Sequence, residues 1–164
     1  MNSPESTIAD DVERFGWHCI SISDADPPFL YSVGLMKTFD HPEAILFGLE
    51  PPAAHGILSV IVENLRDGAR YETAAKYDNV LDGFPIGVRP VDVSQHQIYL
   101  GYAMGFCREI GRIGELRTMQ LFWPDVNGRF PFEANCDLDV YNRQPRLDIP
   151  LTPSELEELD NREI

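Results

Sequence analysis

Apolar and polar positions follow two rhythms along this chain. Ile8, Val12 and Phe15 recur at helical spacing among Asp10, Asp11 and Glu13, which predicts a short amphipathic helix stopped by Gly16. Residues 17–23 read as a strand, closed by a turn through Pro27 and Pro28. Phe29, Tyr31, Val33 and Leu35 alternate onto one face of a second strand. Its other face, Leu30, Ser32 and Gly34, is small and partly polar. Glu43 to Leu49 is nearly continuous in apolar residues, the pattern of a strand buried on both faces.

The strongest helical signal opens at Pro51-Pro52. Ala54, Ile57, Leu58, Ile61, Val62 and Leu65 share one face, and Asp67-Gly68 supplies the stop. Residues 70–83 are polar and read as a long loop. Phe84 to Val93, with Pro85 and Pro90, predicts an irregular or edge strand. Gln95 to Ile110 has helical spacing, weakened by Gly101 and Gly105. Leu116 to Trp123 alternates as a strand and leads into a hairpin-type turn at Asn127-Gly128. Thr152-Pro153-Ser154-Glu155 is a capping box for a short acidic helix that frays from Asp160 to Ile164. These elements alternate without a regular βαβ rhythm. The expected class is α+β, with a mixed or mainly antiparallel sheet and helices packed on it. One domain is expected over residues 1–150, followed by a short acidic helix and tail over 151–164.

Charge narrows the choice of partner. Twenty-seven acidic residues against 13 basic ones give a formal net charge of -14. Such a surface repels phosphate backbones and anionic lipid, so neither nucleic acid nor a membrane is an expected partner. The three cysteines, Cys19, Cys107 and Cys136, are odd in number and widely spaced, as reduced thiols are. With no leader-like start and no apolar run of about 20 residues, a cytoplasmic location is expected.

Five features bear on chemistry. Phe39-Asp40-His41-Pro42-Glu43 sets an imidazole between two carboxylates, either of which suits the orienting partner of a general base. The competing reading makes Asp40 and Pro42 turn formers and His41 a packing residue. His55 lies in the first turn of the strong helix, at the border of its apolar face, where a cleft would reach it. Arg129 sits among Trp123, Asp125, Phe130 and Phe132; it suits a carboxylate or phosphate ligand, or an internal ion pair to Asp125 or Asp137. His18, His41, His55 and His96 lack metal-ligand spacing, so no metal site is expected. Trp123-Pro124-Asp125 resembles the acid loop of tyrosine phosphatases, but Cys107 has Ile113 where the phosphate loop needs an arginine.

Several of these segments recur together. Pro28 to Leu35, Phe39 to Glu43, Phe47 to Leu49, Gln120 to Asp125 and Gly128 to Phe132 resemble, in that order, a bacterial family called domain of unknown function 4262. The resemblance covers roughly residues 8–148. It implies a single domain and brings no activity, cofactor or catalytic residue. The start of the chain is also loosely similar to flavin-binding split-barrel proteins, though it lacks their phosphate-binding basic pair.

The expected function is a binding or interaction module for a small anionic ligand or a protein partner, through the His41 turn and the Trp123–Phe132 segment. The alternative is a small enzyme, a hydrolase, transferase or flavin-dependent catalyst. It would pair His41 or His55 with a carboxylate such as Glu43 and use Arg129 as a clamp. Cofactor, ligand and oligomeric state stay open at this point.

Overall fold

Ser3 accepts the backbone N–H of Ser6 at its side chain, Gly16 turns left-handed, and between these caps lies α1 (Pro4–Phe15). The computed structural model describes residues 3–162. After α1 come β1 (His18–Ile22), β2 (Phe29–Val33), α2 (Leu35–Phe39), β3 (Glu43–Phe47) and α3 (Pro51–Arg66). Then follow β4 (Ala75–Tyr77), β5 (Ile86–Pro90), a 3-10 turn at Val93–Gln95, α4 (His96–Tyr99) and α5 (Gly101–Glu109). The described chain ends with β6 (Thr118–Phe122), α6 (Leu138–Asn142) and α7 (Pro153–Arg162).

The strands form one open sheet of order β1-β2-β3-β6-β5-β4. Only β3 and β6 pair in parallel among neighbours that are otherwise antiparallel. The expected α+β class is therefore correct, as a single domain. Two apolar layers explain why β3 is buried from end to end. Ala44 and Leu46 join Leu30, Met119, Leu121 and the Ala54–Leu65 face of α3. Ile45 and Phe47 join Tyr31 and Val33, Ile8 and Val12 of α1, and Ala103 and Phe106 of α5. Among the described residues no helix is long and apolar enough to cross a membrane.

Several local expectations change. Leu35 does not extend β2: Gly34 has φ 110, and the chain turns there into the helix α2. A Cβ on Gly34 would lie 2.7 Å from Val12, so glycine also lets α1 seat against β2. β5 is not an edge strand; it lies between β6 and β4, with Pro90 at its last position. The predicted loop over 70–83 contains the short β4, which forms that edge of the sheet. The helix expected over 95–110 breaks at Leu100 (φ -116, ψ 34) into α4 and α5. Asn127-Gly128 does not join two strands; no strand follows β6 in the described chain. At the other end, Thr152 N–H donates to the Glu155 carboxylate at 3.0 Å and Glu155 N–H to Thr152 Oγ1 at 3.2 Å, the expected capping box. Its helix runs to Arg162, and Glu163 and Ile164 lie outside the described residues.

Candidate functional site

The left-handed Gly16 reverses the chain so that β1 runs back beside α1. This brings Asp11, on the polar face of α1, against His18 at the start of β1. Asp11 Oδ2 lies 2.6 Å from His18 Nδ1. A carboxylate on Nδ1 holds the proton there and leaves the Nε2 lone pair for other work. Beside them the half-buried Trp17 ring packs on the His55 ring of α3, 5.7 Å between centroids. Thr38 Oγ1 of α2 donates to Gly16 O at 2.7 Å, and the Arg66 guanidinium of α3 donates to Phe15 O. The corner is thus tied together by side chains from four elements.

An open groove of about 930 Å³ runs along this corner. His18, His55, Trp17, Lys37, Arg14 and Arg66 line it, with Asp11, Glu13 and Glu63. Acids outnumber bases two to one over the whole chain, yet here they balance. Asp11 is engaged by His18 and Glu63 by Arg66 at 3.3 Å. Cys19 also lines the groove, but burial pushes its thiol up to about 11, so it stays protonated and unreactive near neutrality.

The residues singled out in the sequence lie in three separate places. His55 is in the groove. His41 is fully buried where α2 meets β3, with Nδ1 2.9 Å from Pro42 O and Nε2 accepting the Tyr71 backbone N–H at 2.9 Å. Both ring nitrogens are engaged by backbone, and desolvation holds the imidazole neutral, below its ordinary pKa. Neither neighbouring carboxylate orients it. Asp40 is exposed and 3.7 Å from the Arg117 guanidinium. Glu43 turns inward and accepts from Ser32 Oγ at 2.8 Å and from the backbone N–H groups of Gly34, Leu35 and Met36 at 3.0–3.3 Å. Ser32 Oγ in turn accepts the Ala44 N–H at 2.9 Å. Burial pushes the Glu43 carboxyl up to about 7 against the pull of these donors. Ser32, Gly34, His41 and Glu43 thus organise the β2–α2–β3 corner rather than a surface.

The third place is the loop after β6. Asp125 is buried and its Oδ1 accepts the N–H groups of Asn127 and Arg129, both at 2.9 Å. Its Oδ2 accepts Asp137 N–H at 2.8 Å. These donors hold its carboxyl below the usual carboxylate range. Phe130 is fully buried, stacked on Phe132 at 5.2 Å. Arg129 is exposed, and its guanidinium reaches only Ala134 O, at 3.4 Å, with no ion pair to Asp125 or Asp137 among the described residues. The arginine that does cover Trp123 is Arg143, 5.0 Å above the ring. Trp123 donates its indole N–H to Phe47 O at 2.8 Å.

His18 escaped the sequence reading as a partnered residue because Asp11 lies seven positions away on what reads as a solvent face. The Gly16 stop between a helix and a strand was the available signal: it folds the one onto the other. Among the described residues, no three His, Cys, Asp or Glu side chains are grouped to hold a metal ion.

The molecule is therefore an α+β domain with an open mixed sheet, helices on both faces and a polar, aromatic-lined groove at one corner. The chain belongs to the family described as Domain of unknown function (DUF4262), whose model matches residues 11–137 of the 164. No curated protein and no solved structure matches it.

Proposed function

We propose that this chain is a small-molecule-binding domain whose groove between α1, β1, α2 and α3 holds a compact anion with a planar ring. The observation that carries this reading is the meeting of the Asp11–His18 couple with the Trp17–His55 aromatic pair along one groove. Trp17 and His55 offer ring faces, and the free Nε2 of His18 offers an acceptor to an N–H or O–H group of the ligand. Lys37 adds a positive charge in a chain with few to spare. The groove volume suits a metabolite-sized ligand, for which sites span about 300–1,000 Å³. A bacterial cytoplasm is the setting we assign, since Cys19, Cys107 and Cys136 are all free thiols.

A second reading, a hydrolase or transferase, draws on the 2.6 Å Asp11–His18 contact. In it His18 Nε2 removes a proton from water or an alcohol, Asp11 stabilises the resulting imidazolium, and Lys37 faces the charge that develops on the substrate.

Isothermal titration with benzoate, phenyl phosphate and riboflavin 5′-phosphate tests the first reading. At least one should bind with a Kd of about 1 mM or tighter, Lys37→Met should weaken it about tenfold, and His18→Gln should weaken riboflavin 5′-phosphate, which carries N–H and O–H donors, about tenfold. Binding that both variants leave unchanged overturns the assignment. Release of phosphate from phenyl phosphate, lost in Asp11→Asn, would instead favour the second reading.

A further inference from the structure

The two edges of the sheet differ in how they are protected. An edge strand offers a row of unpaired N–H and C=O groups, and proteins commonly blunt it by shortness, lysine or proline. β4 is blunted: it has three residues, with Lys76 at its centre. β1, at the other edge, has five residues, His18-Cys19-Ile20-Ser21-Ile22, and none is lysine, proline or glycine. The ladder shows which of its groups are free. Pro28 C=O accepts the Gly48 N–H, so alternation along β2 turns Leu30 and Ser32 toward β3 and Phe29, Tyr31 and Val33 toward β1. Their partners Ile22, Ile20 and His18 therefore bond inward. Cys19 and Ser21 turn their N–H and C=O out of the sheet, and no group among the described residues bonds them there.

Charge at the two ends of β1 indicates what pairs with this edge. Near its start, around Gly16, Arg14 and Lys37 have no ion-pair partner among the described residues, against one free acid, Glu13. Asp11 and Glu63 are engaged by His18 and Arg66. Past its end, Asp24 and Asp26 are exposed and likewise without an ion-pair partner among the described residues. A strand that runs from surplus positive to surplus negative charge complements itself when two copies lie antiparallel. Centred on Ile20, that pairing sets Cys19 opposite Ser21 of the second copy, where the outward N–H and C=O groups satisfy one another. It also sets Asp24 of the second copy level with Gly16, close to Arg14. Ile20 and Ile22, on the α1 side of the sheet, carry the apolar layer across the axis.

We propose that two copies of this chain pair through β1, antiparallel about a two-fold axis at Ile20, joining their sheets into one, with Arg14 and Asp24 forming ion pairs between the copies. The pairing uses the outer edge of β1 and stands whether or not the groove holds a ligand.

Sedimentation velocity of the full chain tests this at about 0.15 M salt, where repulsion between two chains of net charge -14 is screened beyond about 8 Å. The chain should dimerise with a Kd of about 100 µM or tighter, as befits a small interface. Ser21 is exposed and its N–H faces outward, so Ser21→Pro removes an edge donor that the fold does not use. It should weaken the dimer at least about tenfold and leave the melting temperature within error. Arg14→Glu and Asp24→Arg should each weaken the dimer about tenfold, since the pair occurs twice, and the double variant should recover it. If Ser21→Pro also lowers the melting temperature, the charge exchange alone decides. A chain still monomeric at about 1 mM overturns the proposal and leaves the edge to a strand of another protein. A dimer that a stably folded Ser21→Pro leaves intact, or a double variant as weak as the single ones, places the contact elsewhere and overturns it equally.

Discussion

The backbone N–H of Tyr71 donates to Nε2 of His41 at 2.9 Å, so the chain's most motif-like histidine serves as a bracket between two segments of backbone. Its other nitrogen faces Pro42 O. An imidazole is well suited to this, since its neutral form is at once a donor and an acceptor. Arg70 reinforces the bracket by donating to Phe39 O at 2.6 Å and to Asp40 O. His41→Ala should destabilise the fold by about 3 kcal/mol, because two buried backbone groups lose their partners. Urea unfolding measures this. The same variant should bind groove ligands as the wild type does once folded.

The bracket has a pH signature. The folded-state pKa of His41 is lowered, by desolvation first, so the unfolded chain binds the proton more readily. Its contribution to stability is present above the ordinary histidine pKa of about 6.5 and is lost as pH falls below it. Unfolding free energies measured between about pH 7 and about pH 5 should fall more steeply for the wild type than for His41→Gln. Equal slopes would refute a neutral, buried His41.

Glu43 should act in the opposite sense. Burial raises its carboxyl from about 4.5 to about 7 in the fold, so the folded chain binds this proton more readily. Its contribution is present below about 4.5 and is lost as pH rises through about 7. Glu43→Gln should remove that loss, which comparison of the two unfolding curves at about pH 5 and about pH 8 detects. The variant also turns an amide N–H₂ toward backbone donors of α2, and so lowers stability at every pH.

Asp125 and Arg129 separate a loop former from an exposed side chain. Asp125→Ala strips the acceptor from three backbone N–H groups and should lower the melting temperature and expose the loop after β6 to proteolysis. Arg129→Ala removes one long hydrogen bond and should leave the melting temperature within error.

The elements written most clearly in the sequence are those whose own side chains decide them. The six apolar positions of α3 and the Gly16 stop of α1 needed no partner to be recognised, and β3 was legible as a doubly buried strand. What escaped depends on contacts between distant residues. Leu35 continues the alternation of β2 by type, yet Gly34 bends the chain and Glu43 caps the new helix from the neighbouring strand β3. Pro85 and Pro90 suggested an edge, but β4 forms only by pairing with β5 and takes that position itself. The site divided in the same way. His55 could be placed at a cleft from the face of its helix, whereas the Asp11–His18 contact exists only once β1 folds back on α1. Arg129 and Trp123 are close in sequence, but it is Arg143, from a segment 20 residues on, that covers the indole.

The central claim concerns the groove at Asp11, Trp17, His18 and His55, and the two tryptophans provide an internal comparison. The Trp123 indole N–H is bonded to Phe47 O, away from the groove, while Trp17 lines it. In a nitrogen–proton NMR spectrum of the labelled chain, each indole gives its own signal. Titration with phenyl phosphate and riboflavin 5′-phosphate should move the Trp17 signal saturably while the Trp123 signal stays in place. A Trp17 signal that does not move with either compound, or moves only in step with that of Trp123, would contradict a ligand site in the groove.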